Sequence, residues 1–386
     1  MTLDISRKAT KIVQAEIRSM SIECEKMGGI NLAQGVCDTE VPSSVRSGAK
    51  NAIEEGLNSY TRYDGIAILR EAIAKKMYQY NGIKADPETD IVVSCGSTGS
   101  FYCACLALLN PGDEVIIFEP FYGYHINTLL AVEVVPKYVR LHAPEWSLNP
   151  VDLERAITAE TKAIIINTPV NPTGKVFTLE ELKTVADIAI KHDLFVFTDE
   201  IYEYFLYDGR KHISPATLPG MSERTITISG LSKTFSITGW RIGYSVCHPK
   251  WSQMIGYLND LIYVCAPAPL QVGVARGILE LGPEYYTNLC NEYAAKREKM
   301  CDVLEDVGLT PSLPQGAYYV MADVTHLPGR TSKDKAMYIL SKTGVATVPD
   351  EAFLSTPSEI QFVRFCYAKK QNELEEACNR LKKLEK

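Results

Sequence analysis

From about residue 90 the sequence alternates short apolar, β-like runs with longer stretches of helical period, and this alternation narrows the choice of fold more than any other feature. The strand candidates are Ile91 to Ser94, Glu114 to Phe118, Ala163 to Asn167, Leu194 to Thr198, Thr225 to Ile228 and Ile242 to Val246. Between two of them Leu179, Leu182, Val185, Ala186 and Ile188 recur at helical spacing, and Thr178 with Glu181 supplies a capping box for that helix. The pattern predicts an α/β fold: a large, mostly parallel sheet sandwiched by helices. The connection from Ala163 to Phe197 reads as strand, loop, helix, strand, a right-handed crossover. Ligands of such sheets sit beyond the carboxyl ends of the strands. Asn171, Asp199, Tyr202, Ser232 and Lys233 all follow strand candidates, so they are expected to converge on one crevice.

A chain of 386 residues exceeds the size at which one core stops growing, so two domains are expected. Beyond residue 285 the texture changes. Tyr293, Lys296, Arg297, Met300 and Leu304 belong to a long charged helix, Gly316 to Val324 and Ile360 to Tyr367 read as strands, and an amphipathic helix ends the chain. These features predict a smaller α+β domain.

The net charge of -7 comes from scattered acidic residues and gives no reason to expect nucleic acid. Eleven cysteines at irregular spacings, without Cys-x-x-Cys or a Cys/His cluster, point to buried thiols in a reducing, cytoplasmic compartment and to no metal site. The first thirty residues lack the apolar core of a signal peptide. The longest apolar stretch, Phe101 to Leu109, is too short to span a bilayer. Neither Gly-x-Gly-x-x-Gly nor Gly-x4-Gly-Lys-[Ser/Thr] follows a strand candidate, which disfavours a nucleotide-binding dehydrogenase or ATPase.

Lys233 lies where a strand-like run ends in small polar residues ahead of Trp240 and Arg241. A lysine desolvated beside another cation has a lowered pKa, and its neutral amine can attack a carbonyl to form a Schiff base.

Asn171-Pro-Thr-Gly174, Asp199-Glu-Ile-Tyr202 and the Ser232-Lys233 segment ending in Gly239-Trp-Arg241 together resemble the signatures of class I/II aminotransferases, of fold type I among pyridoxal phosphate enzymes. The resemblance runs from Asn31-Leu-Ala-Gln-Gly35 to Val363-Arg-Phe365. It implies a large cofactor-binding domain of residues 46–285 and a small domain formed by residues 1–45 and 286–386. It also implies that Lys233 holds pyridoxal 5'-phosphate and moves the substrate's α-proton, and that Asp199 keeps the pyridine nitrogen protonated. Asn171 and Tyr202 would bond the phenolic oxygen, and Tyr122 would stack on the ring.

For the phosphate the resemblance implies Gly96, Ser97 and Thr98 at a helix start, with Arg241 as fixed charge. Gly230 departs from many relatives, which place a phosphate-contacting serine there; Ser232 or a backbone amide is left to compensate. Tyr60 resembles the tyrosine that reaches the neighbouring subunit's phosphate, which implies a homodimer. Arg364 would bind the α-carboxylate through its bidentate fork, because an arginine between Phe362, Val363 and Phe365 is expensive to bury unpaired. Gly35 and Asn171 complete the implied substrate contacts.

The implied reaction is ping-pong transfer of an amino group from an L-amino acid to a 2-oxo acid. A β-lyase or synthase on the same fold is the alternative. Asn31-Leu-Ala-Gln-Gly35 is similar to the kynurenine, glutamine and methionine branch, which usually continues Phe-Pro-Asp-Phe where this chain has Val36-Cys-Asp-Thr39. Tyr318 and Tyr319 are open to either reading, pocket or core.

Overall fold

Runs of apolar residues buried on both faces make the strands of the main sheet. The computed structural model describes residues 3–12 and 14–384, so residues 1, 2, 13, 385 and 386 of the expected small domain lie outside the described residues. Seven strands lie in the order Ile91–Cys95, Ile242–Val246, Thr225–Ser229, Phe195–Asp199, Thr161–Asn167, Glu114–Glu119 and Val135–Arg140. Ile242–Val246 runs antiparallel to both neighbours, and the remaining four pairings are parallel. All six strands read from the sequence are present. The seventh, Val135–Arg140, escaped notice because Pro136, Lys137 and Arg140 suit an edge, where ladder donors can be missing on one side.

Alternation at period two builds a core on each face. Ile116, Ile164 and Val196 are register neighbours whose side chains join Leu182 and Val185 of the helix Leu179–Lys191 in one cluster. Their sequence neighbours Ile117, Ile165 and Phe197 join Phe101 and Cys105 of the helix Gly96–Leu108 in another. The capping box is formed, with Thr178 Oγ1 accepting from the Glu181 N–H and the Glu181 carboxylate from the Thr178 N–H.

A second sheet, wholly antiparallel, runs Val348–Pro349, Phe362–Cys366, Tyr319–Asp323, Thr310–Ser312. Both strands expected there are shorter than read. Ala317 takes a left-handed φ of 57°, and Gly316 packs so closely on the Phe205 carbonyl that a Cβ would lie 2.6 Å from it, so no strand passes through. The N-terminal Ile30–Asn31 pairs in parallel with Val345–Ala346, which joins the two ends of the chain. The long helix Pro283–Asp306 and the amphipathic C-terminal helix Gln371–Leu381 are both present. The eleven cysteines are free thiols and most are buried. Among the described residues no helix is long and apolar enough to cross a membrane.

A buried ionic network sits on the turn after the strand Phe195–Asp199. Lys76 Nζ donates to Glu203, which also accepts from Asn81 Nδ2 at 2.7 Å and Ser229 Oγ at 2.9 Å. Glu200 accepts from His212 at 2.6 Å, Ser214 at 2.7 Å and Thr198 at 2.9 Å. Glu200, Glu203 and His212 bring possible ligand atoms within 4.8 Å of one another, but the carboxylate oxygens already have these donors. The network ties the helix Ala67–Lys76 to the ends of two central strands. Burial would raise the Glu203 carboxyl, yet Lys76 with His212 and Asn81 holds it below the usual carboxylate range. A depressed carboxyl contributes stability above its unfolded value, and that stability is lost as pH falls through the lower folded value. Lys76→Met should therefore cost about 3–5 kcal/mol in urea denaturation at neutral pH, with a flatter loss of stability on acidification. A cost below about 1 kcal/mol, the range of exposed pairs, would contradict this account of the network.

Candidate active site

Beyond the carboxyl ends of the central strands lies a cavity of about 500 Å³. Gly35, Ser97, Thr98, Tyr122, Asn171, Asp199, Tyr202, Ser232, Lys233, Arg241 and Arg364 all line it, although they come from nearly the whole length of the chain. Two residues named from the sequence do not. Gly96 stands just behind the lining, and Tyr60 is 84% exposed on the surface.

Lys233 Nζ donates to the Gly35 carbonyl at 3.3 Å and lies about 6 Å from the Tyr202 and Tyr318 rings. Its pKa is lowered, first by burial; Cys37 and Cys366 oppose this, and the cation of Arg241 adds to it. Among the described residues no carboxylate forms an ion pair with Lys233. A half-buried amine so placed gives up its proton more readily than a surface lysine.

Asp199 ends its strand and is held from three sides. His125 Nε2 lies 3.1 Å from Oδ2, the Ile201 N–H donates to Oδ1 at 3.2 Å, and Asn167 Nδ2 donates to the Asp199 carbonyl at 3.0 Å. Neither His125 nor Asn167 was named from the sequence, and both line the cavity. Asn167 was legible in principle, as the last residue of a predicted strand. His125 had no such signal, because its contact depends on the helix Gly123–Ala131 crossing to the Asp199 strand.

Arg364 is 1% exposed on the strand Phe362–Cys366. Nη1 donates to Asn171 Oδ1 at 2.7 Å and Nη2 to the Ala33 carbonyl, while Nε has no partner. The guanidinium lies 4.3 Å from the Tyr319 ring centroid and 5.1 Å from that of Phe353. No acidic side chain among the described residues pairs with it. The carboxylate expected from the cost of burying this charge is thus not supplied by the chain itself.

At the other functional group, the helix Gly96–Leu108 begins without a side-chain cap. Its first N–H groups are available to an anion, and Ser97 and Thr98 add hydroxyls. Gly96 has a φ of +75°, and a Cβ there would collide with the Arg241 guanidinium, so glycine lets Arg241 cover the helix start. At Gly230 a Cβ would meet the Ile242 carbonyl at 3.0 Å, and Ser232 lines the cavity in its neighbourhood.

Tyr202 and Tyr319 share a hydroxyl–hydroxyl contact of 2.9 Å. Burial pushes both phenols well above their ordinary value, so each stays a protonated donor at neutral pH. Tyr319 lines the cavity, whereas Tyr318 belongs to the core beneath it.

The family model for aminotransferase class I and II matches residues 28–381. The chain belongs to this family. As an aminotransferase it is similar to rat kynurenine–oxoglutarate transaminase 3, with 36% identity over 96% of this chain and 89% of the relative. It is 38% identical to aspartate aminotransferase of Pyrococcus abyssi over 92% of this chain and 91% of that one. The solved structure of N-succinyldiaminopimelate aminotransferase from Mycobacterium tuberculosis superposes with a TM-score of 0.95 at 32% identity, covering 99% of this chain and 100% of that chain. Amino-group transfer is the activity these relatives share, and they do not favour the β-lyase alternative.

In this aminotransferase a Cβ on Gly35 would overlap the Tyr319 hydroxyl and come within 2.8 Å of the ring. Gly35→Ala should displace Tyr319, disturb the Tyr202 contact and cost about 1–3 kcal/mol of stability in thermal or urea unfolding. Adding Tyr319→Phe should recover part of that loss by removing the overlapping oxygen. A double variant less stable than the sum of both single losses would argue against this steric account.

Proposed function

We propose that the enzyme moves the amino group of an L-amino acid to a 2-oxo acid in a ping-pong cycle, using pyridoxal 5'-phosphate held by Lys233. The observation that carries this reading is the charge pattern of the cavity: a half-buried lysine and a buried arginine without carboxylate partners, beside an uncapped helix start covered by Arg241. An aldehyde-bearing phosphate ester fits the lysine and the helix start. An α-carboxylate fits Arg364. When bound, the cofactor supplies an electron-withdrawing ring that stabilises negative charge at the substrate's α-carbon.

The residues divide that work. Lys233 anchors the cofactor through its amine and, once released, takes the proton from the α-carbon and returns it to the adjacent position. Asp199, oriented by His125, keeps the pyridine nitrogen protonated; Tyr122 covers the ring; Tyr202 and Asn171 donate to the phenolic oxygen. Ser97, Thr98, Ser232, Arg241 and the backbone from Gly96 hold the phosphate. Arg364 fixes the carboxylate of amino acid and 2-oxo acid alike, with Gly35 and Asn171 beside it. Residues 46–285 form the cofactor-binding domain, and 1–45 with 286–386 the smaller one.

Tyr60 is read as reaching the site of a second copy in a homodimer. Its 84% exposure and its place outside its own cavity support that reading. Free thiols support a reducing, cytoplasmic setting. The names of the relatives suggest aromatic or acidic amino acids as donors and 2-oxoglutarate as acceptor.

The test is a panel of amino acids added singly to the cofactor-loaded enzyme, following the bound cofactor's absorbance and the 2-oxo acid released. Amino donors should convert the absorbance in a single turnover and release one 2-oxo acid per site; a second 2-oxo acid should restore the spectrum. Arg364→Ala should raise KM about ten- to hundredfold, the worth of charged hydrogen bonds to a carboxylate. Release of ammonia and pyruvate without any acceptor would overturn the proposal.

A further inference from the structure

Four cations line the cavity, Arg18, Lys233, Arg241 and Arg364, against one carboxylate, Asp199, which is engaged by His125. The reading above assigns three of the four: Lys233 to the cofactor's aldehyde, Arg241 to its phosphate, Arg364 to the α-carboxylate. Arg18 is left over. Among the described residues its side chain has no hydrogen-bond or ion-pair partner.

Nothing in the fold accounts for a cation at this position. Arg18 is the third residue of the helix Glu16–Lys26, in the first turn, where the helix dipole favours anions and disfavours cations. Ser21 and Ile22, three and four residues on, offer no opposite charge. The helix itself is firmly held. Met20 and Cys24 are buried, Ile17 packs on the core, Asn31 Nδ2 donates to Ser21 Oγ at 3.0 Å, and Lys333 pairs with Glu16 at 3.0 Å. Ahead of it the turn Ala9–Lys11 packs on the helix Gly123–Ala131, which carries His125 and follows Tyr122. The backbone that carries Arg18 is thus fixed at the cavity's edge, while the side chain stays exposed and unpaired.

We propose that Arg18 is a specificity-determining residue that binds the second carboxylate of a dicarboxylic substrate, so that one half of the cycle uses an amino or 2-oxo acid with a distal carboxylate. This rests on the reading of the site given above, in which Arg364 takes the carboxylate next to the reacting carbon. Because the side chain is exposed, its attraction for a diacid is moderated by solvent and salt, and it acts on binding rather than on chemistry. A substrate with an apolar side chain can still enter, with the aromatic lining of Tyr122 and Tyr124 and without the help of Arg18.

The experiment compares wild type, Arg18→Gln and Arg18→Lys, all cofactor-loaded. Dissociation constants of the unreactive diacid maleate and the monoacid 3-phenylpropionate are read from the cofactor's absorbance, and KM is measured for 2-oxoglutarate and for phenylpyruvate. In Arg18→Gln the maleate dissociation constant and the 2-oxoglutarate KM should rise roughly tenfold or more while the monoacid values move by less than about threefold, the difference expected for losing one charged contact. Arg18→Lys should keep at least part of the diacid preference, and raised salt should erode that preference in wild type and in Arg18→Lys but not in Arg18→Gln. Equal changes for diacid and monoacid, no change for either, or a lysine variant as impaired as the glutamine one would overturn the proposal. Because maleate binding needs no turnover, these outcomes are separate from the failure of the parent reading, which would appear as wild type exchanging amino groups with no acid at all.

Discussion

A guanidinium buried to 1% exposure without a carboxylate of its own is the constraint on which the site depends. Removing such a charge from water costs several kcal/mol unless hydrogen bonds and favourable rings offset it. Arg364 is met by Asn171 from the loop after a central strand, by the Ala33 carbonyl from the N-terminal segment, and by Tyr319 across the antiparallel pairing of its own sheet. Three distant parts of the chain converge on one cation and leave Nε free. In the proposed reading an anion from outside completes what the chain leaves unpaired, and the pocket is arranged for it in advance.

The same logic extends to the rest of the cavity. Strand order places Asn167 and Asp199 side by side in register, and the ends of these strands carry the polar groups past the apolar core. Behind Asp199, the Lys76–Glu203 network keeps the following turn in place. Positions of closest approach are left to glycine, where Gly35 makes room for the Tyr319 hydroxyl and Gly96 for Arg241. Packing, not any single strong bond, sets the distances on which the proton transfer proposed for Lys233 depends.

Much of this was legible in the sequence because it follows from local rules. Short apolar runs found six of the seven main strands, and residues that follow such strands in an α/β sheet converge, as Asn171, Asp199, Tyr202 and Lys233 do. What was not legible depends on contacts between elements. His125 reaches Asp199 only through the crossing of a helix, and nothing in its neighbours Tyr124 and Ile126 marks it. Val135–Arg140 was hidden by the proline and charges that an edge strand tolerates. The strand around Tyr319 was read too long because Ala317 takes a left-handed φ where Gly316 packs closely on Phe205, which no local pattern records. Arg18 was not singled out, because only the fold brings its helix to the cavity's edge.

The central claim is that one amine among many, Lys233, carries the cofactor. Loading the purified protein with pyridoxal 5'-phosphate, fixing the linkage with borohydride and locating the added mass by peptide mass spectrometry tests it directly. The account predicts a single modified lysine at position 233. Modification at another lysine, or no stoichiometric adduct at all, would contradict it.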